Sequence, residues 1–160
     1  MRLSRVLPTP AAIALVTLVA VGLAGAQQMQ MMKVGSGDVV ADRQRLMKLN
    51  AASLKDINEK VKAGNIEAIQ VNAETLALNA EHIPTLFPKG SLSDKSNAKP
   101  EIWAKREDFE KAAKNLEAWA VKLRDTAKTK DADATQAIVK DFGRETCGAC
   151  HTPFRTPPKS

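Results

Sequence analysis

Between Asp38 and Lys62, Val40, Met47, Asn50, Leu54, Ile57 and Val61 recur at steps of seven, three and four. That period places them on one stripe of an amphipathic helix, and a strand would need alternation at two. The same rhythm fills nearly all of the chain beyond it, and no run reads convincingly as a strand. Gly64 stops the first helix and Asn65 is expected to cap the second, whose stripe is Ile66, Ile69, Ala73, Leu76, Ala80 and Ile83. Pro84 ends it by restricting the residue before it.

Residues 84–100, PTLFPKGSLSDKSNAKP, form the one long connection, rich in Pro, Ser, Gly and Lys. Its length lets the chain cross the end of a bundle where a tight hairpin could not. Pro100 suits the first turn of a third helix carrying Ile102, Phe109, Ala112, Leu116, Trp119 and Leu123 to about Lys128. After the polar turn KTKDAD, Asp131 or Asp133 caps a fourth helix with Ala134, Ile138 and Phe142 inward. TPPKS ends it. Four amphipathic helices with two short turns and one long connection describe an all-α, antiparallel four-helix bundle. Six aromatic residues and no Tyr leave Leu, Ile, Val and Ala to fill most of the core, so a bound cofactor would supply missing bulk.

The N-terminus sets the compartment. Arg2 and Arg5 precede an apolar run from Ala11 to Leu23, and Ala24 and Ala26 supply small residues for a cut before Gln27. Charged start, apolar middle and small-residue exit describe a secretory signal over 1–26, leaving 27–160 as a single exported, periplasmic domain. A retained anchor would need roughly 20 apolar residues, and this run is shorter. The membrane is thus met only through the transient signal. Loss of two arginines and no acid lowers the formal charge from +6 to +4. The charge is scattered, without a basic block interleaved with aromatics, which sets nucleic acid aside.

Both cysteines of the chain stand in RETCGACHTPFR, residues 144–155, with His151 directly after Cys150. On a regular helix Cys150 lies roughly 60° behind Cys147 and His151 roughly 40° ahead, so the three share a face. Two thiols can add to the vinyl groups of a haem while the adjacent imidazole binds its iron, and C-x-x-C-H is the haem c attachment signature. Other chemistries use such residues. A redox dithiol belongs at a strand-to-helix junction, and no strand precedes CGAC. A zinc site needs further ligands, and His82 is the only other histidine. A plain disulfide would close a loop too small to stabilise a domain much.

With these residues the chain resembles the class II c-type cytochromes, the cytochrome c′ and cytochrome c-556 group. The resemblance runs from roughly Val39 to Arg155 and includes DRQRLMKLN, HIPTLFPKGS, KPEIWAKREDF and CGACHTPFR. It implies one haem c per chain, attached through Cys147 and Cys150, with His151 as the proximal iron ligand. It also implies that Met47 faces the distal side, that Arg43 matches a position associated with a haem propionate, and that Arg155 matches a basic residue beside the proximal face.

Met47 separates two behaviours within that resemblance. A ligating methionine gives a six-coordinate, low-spin haem suited to electron transfer, since His/Met ligation raises the reduction potential. A methionine that only fills space leaves the iron five-coordinate and open to nitric oxide or carbon monoxide. The expected function is a periplasmic mono-haem electron carrier working between redox proteins of unknown identity, with gas binding as the alternative and a haem-free thiol-redox protein as a weaker one. Met29, Met31, Met32 and His82 are rival ligands, less well placed than Met47 on its inward stripe. The resemblance further implies dimers through the first two helices, where Val71 or Leu78 could serve. No Ser/His/Asp set, Gly-rich phosphate loop or carboxylate pair suggests an enzyme.

Overall fold

The computed structural model describes residues 36–157. The expected signal sequence, its cleavage site, and Met29, Met31 and Met32 lie outside the described residues.

Helix α1 spans Val39–Lys62, and its N-cap Asp38 accepts from the backbone N–H of Val40 and Ala41. It ends in a Schellman motif: Gly64 takes a left-handed φ of 71°, its N–H reaches the Val61 carbonyl, and that of Asn65 reaches Lys60. Asn65 therefore closes the first helix and does not cap the second. Helix α2, Ile69–His82, begins at Ala68 without a side-chain cap. All six residues of its expected stripe are buried, joined by Ala77.

The third rod is not one helix. A short α3, Glu101–Ala104, breaks at Lys105 (φ −121°, ψ 53°) before α4, Arg106–Lys128. At the break Arg106 turns its guanidinium toward the 3-10 turn Pro84–Leu86, donating to the carbonyls of Phe87 and Pro84, both at 2.9 Å. Ala113 occupies the buried position expected of Ala112, and Ala120 and Ala127 extend the stripe.

Helix α5, Ala132–Phe142, is capped by Asp131, whose carboxylate accepts from Ala134 N–H at 2.9 Å. Ala134 is exposed, contrary to expectation, and Thr135 is buried in its place. Thr135 can be buried because its hydroxyl donates to the Asp131 carbonyl at 2.6 Å, leaving an effectively apolar surface. The rod then widens into a π-turn, Gly143–Gly148, and resumes as α6, Ala149–Phe154.

The four rods form an antiparallel four-helix bundle, and α2 and α4 share its most extensive interface. The described residues contain no helix long and apolar enough to cross a membrane. The long connection does more than cross the bundle end. Lys99 N–H donates to Phe154 C=O at 3.0 Å and Thr156 N–H to Asn97 C=O at 2.8 Å, making an isolated antiparallel bridge between Ala98 and Arg155.

Candidate haem site

A cavity of about 470 Å³ opens between the N-terminal half of α1, the long connection and α6. Its size lies in the range of small-molecule and cofactor sites. Arg43, Met47 and Ala51 line it from α1 at four-residue steps, and Cys150, His151 and Phe154 line it from α6. Met47 and His151, far apart in sequence, therefore face one space. The aromatic wall is continuous: Phe87 meets Phe109 edge-on at 5.0 Å between centroids, and Phe109 meets Phe154 at 5.3 Å.

Arg43 is the most constrained polar group at the site. It is 3% exposed, its Nε donates to Val39 C=O and its Nη2 to Ser91 C=O, and its guanidinium stacks 4.5 Å from the Phe87 centroid. Burial pulls its pKa down, partly opposed by Asp38, but a guanidinium stays charged. Its Nη1 is buried without a partner. An unpartnered buried donor on a permanent cation is costly, and a carboxylate at the cavity wall would complete it. Haem, with two propionates and a flat apolar ring, fits this combination of orphaned cation and aromatic wall.

The α6 groups fit it as well. His151 is half-buried; burial foremost, and then the Arg155 charge, lower its pKa and favour the neutral imidazole that ligates metals. Burial, with Cys147 adding to it, pushes the Cys150 thiol up to about 11. Redox dithiols work through lowered thiol pKa values, so this environment disfavours the thiol-redox alternative. The two cysteines are not joined by a disulfide.

Cys150 and His151 line the cavity, while Cys147 sits in the π-turn, half-buried outside the lining. The uniform α-helical step expected from Cys147 to His151 does not hold there. Ala149 N–H bonds the Arg144 carbonyl, an i→i−5 link, which leaves the Glu145 carbonyl without the helical donor it would have had. Asn115 of α4 donates to that carbonyl at 2.7 Å, so a tertiary contact holds the turn that presents Cys147. Thr146 is buried, its hydroxyl donating to Phe142 C=O at 2.7 Å.

Arg155 is exposed yet lines the cavity, positioned by the bridge to Ala98. His82 is exposed at the end of α2 and outside the cavity lining. Among the described residues no group of three His, Cys, Asp or Glu converges as a metal cluster would require. Sequence reasoning missed Phe87 and the Ser96–Ala98 segment as parts of the wall. Phe87 carries no periodic signal, and Ala98 reaches the site only through backbone pairing.

The family model described as Cytochrome C′ matches residues 38–155. Cytochrome c-556 of Agrobacterium tumefaciens (strain II Chrys) is 34% identical over 119 residues, which span 72% of this chain and 95% of the relative. Cytochrome c-554 of Cereibacter sphaeroides is 39% identical over 75 residues, 45% of this chain and 55% of the relative. The crystal structure of cytochrome c′ from Thermochromatium tepidum superposes with a TM-score of 0.67 at 27% identity, covering 74% of this chain and 94% of that one. The nitric oxide complex of a mutant cytochrome c prime from Alcaligenes xylosoxidans gives the same TM-score and identity, over 76% and 96%. The chain thus belongs to the cytochrome c′ family of class II c-type cytochromes, and its cofactor is one haem c held covalently by Cys147 and Cys150.

Proposed function

We propose that this protein is a periplasmic electron carrier in which His151 is the proximal and Met47 the distal iron ligand. The haem supplies one-electron ferrous–ferric chemistry when bound. The observation that carries the reading is that Met47, on α1, and His151, on α6, line the same cavity. A thioether is a good sixth ligand, and His/Met sets favour a raised potential. Arg43, held against the Phe87 ring, would offer its unpartnered Nη1 to a haem propionate. Arg155 stands beside the proximal face, where its charge favours neutral His151. Export by residues 1–26 accords with attachment of haem after secretion. Exposed Leu49 on α1 with Val71 and Leu78 on α2 offers a face for a homodimer, which sedimentation of the holoprotein tests.

The second reading is gas binding at a five-coordinate iron. It is favoured by the likeness to a protein whose structure is a nitric oxide complex. Optical spectra of the oxidised and reduced holoprotein, with and without carbon monoxide, separate the two. The carrier reading expects a low-spin spectrum with a thioether–iron charge-transfer band, unchanged by carbon monoxide, and conversion to a gas-reactive, high-spin form in Met47→Ala. A wild-type spectrum that is high-spin and shifts with carbon monoxide overturns it.

A further inference from the structure

Elsewhere on the bundle some cations lie against anions, while others, Lys62, Lys114, Lys122 and Lys140 among them, join no ion pair among the described residues. Lys60 pairs with Asp56 at 2.8 Å, Arg124 with Glu74 at 2.6 Å, Lys130 with Glu67 at 2.8 Å and Arg144 with Asp141 at 2.8 Å. What sets the mouth of the cavity apart is that cations gather there without a carboxylate in the lining. Lys48 and Arg155 line it and are exposed, and among the described residues no carboxylate lines it. Ser96, Asn97 and Ala98 form another stretch of its wall, bracketed by Lys95 and Lys99. The backbone at Lys95 and the side chain of Lys99 are each held by a hydrogen bond. Gln44 of α1 donates to the Lys95 carbonyl at 2.8 Å, and Lys99 Nζ donates to the Thr152 carbonyl at 3.1 Å, one residue past His151.

None of these four cations joins an ion pair among the described residues. Asp94 and Glu101, both exposed, are the acidic residues next along the same stretch, and they leave the rim with an excess of positive charge.

We propose that this rim of Lys48, Lys95, Lys99 and Arg155 is the docking face for an acidic redox protein, one that presents clustered carboxylates at its own electron entry point. The proposal rests on the electron-carrier reading. Unpaired surface charges of one sign around an opening steer an oppositely charged partner and fix its orientation, while adding little to final affinity. Placed at the mouth of the cavity that would hold the haem, they would bring that partner to the cavity opening. The scattered net charge of the chain would not select this face.

Ferricyanide oxidation of the reduced holoprotein tests the rim. One electron passes from the ferrous protein to ferricyanide, giving ferric protein and ferrocyanide, with no proton or atom transferred. Two variants change the formal charge equally: Lys48→Glu/Lys95→Glu at the rim, and Lys62→Glu/Lys140→Glu on the groove between α1 and α5. Lys62 stands about 21 Å along α1 from Lys48, at 1.5 Å per residue. At 0.1 M ionic strength that is about two Debye lengths, so the far pair is largely screened. The rim pair should slow oxidation about tenfold and the far pair no more than about twofold, the difference shrinking as salt rises. Elution from a carboxymethyl matrix supplies a readout independent of the haem, with the rim pair released at lower salt than the far pair. If the two pairs behave alike in either readout while the spectrum is low-spin, the rim proposal fails alone. A high-spin, carbon-monoxide-reactive spectrum overturns the carrier reading on which the docking rests.

Discussion

Between α2 and α4 the buried residues are Ile69, Ala73, Leu76, Ala77 and Ala80 on one side and Ala113, Leu116, Ala120, Leu123 and Ala127 on the other, while the cavity beside α1 and α6 is lined by Arg43, Lys48, His151 and three phenylalanines. Small residues on both helices allow close approach in the first region, and Ile and Leu fill what remains. The buried side chains there carry no polar atom that needs a partner. In the second region a charged group is buried with a donor unspent. One half of the bundle is finished by its own side chains, and the other is shaped around a group that the chain does not encode. Leu123→Ala, at a site with no exposed area, should cost about 2–5 kcal/mol in denaturant unfolding. The loss should be similar in the haem-bearing protein and in a haem-free chain. A loss confined to one of them would show that the two regions are not independent.

The complementary test acts on the other region. A Cys147→Ser/Cys150→Ser chain, which cannot attach haem, should keep slow hydrogen exchange along α2 and α4. Exchange should quicken in the N-terminal half of α1, in residues 88–99 and in α6, by the equivalent of about 1–3 kcal/mol, the cost of polar groups left without partners. Equal loss of protection along α2 would break the contrast.

The same division governs how much could be read in advance. The α2 stripe was legible residue by residue because one smooth face of one helix is buried. Cys147 and Cys150 were legible because covalent attachment of haem c fixes their spacing, and the cavity brings His151 into one lining with Met47 and Arg43. What escaped depends on contacts between distant segments. The Ala98–Arg155 bridge is made by backbone groups, which every sequence carries. The π-turn owes its stability to Asn115, thirty residues before Glu145 and outwardly an ordinary polar residue of an exposed helix face. The break at Lys105 coincides with Arg106 reaching the Phe87 and Pro84 carbonyls, a contact between distant segments that no local pattern announces. Thr135 displaced Ala134 from the core because its hydroxyl is satisfied within its own helix, which hydropathy does not register.

Asn115 also gives the next smaller effect. Asn115→Ala leaves the Glu145 carbonyl to water and should cost about 0.5–1.5 kcal/mol, the net worth of one hydrogen bond. The change should appear as faster exchange from Thr146 to Ala149, with α2 untouched. Were α2 to lose protection too, the π-turn would belong to the packed half and not to the cavity.

The smallest effect is expected at the latch between α1 and α2, on the packed side of the division. Asp56 accepts from Asn72 Nδ2 at 2.9 Å and pairs with Lys60 at 2.8 Å. Lys60 foremost, and then Asn72, hold its carboxyl below the usual aspartate range. A folded-state pKa below the unfolded one means that the contribution is complete at neutral pH. It fades as pH falls through the folded value, where the unfolded chain already carries the proton. Solvent and salt screen so exposed a pair, so Asp56→Asn should lower the melting temperature only slightly at pH 7. The difference should close on acidification past the ordinary carboxylate range, about pH 4 and below. It should be the same with and without haem, because the latch touches neither the cavity nor its rim. A gap that persists unchanged into acid would mean that the carboxylate acts by hydrogen-bond geometry and not by charge. A gap seen only with haem would mean that the cavity and the α1–α2 latch are coupled, and the boundary between the finished and unfinished halves would then have to be drawn through α1 itself.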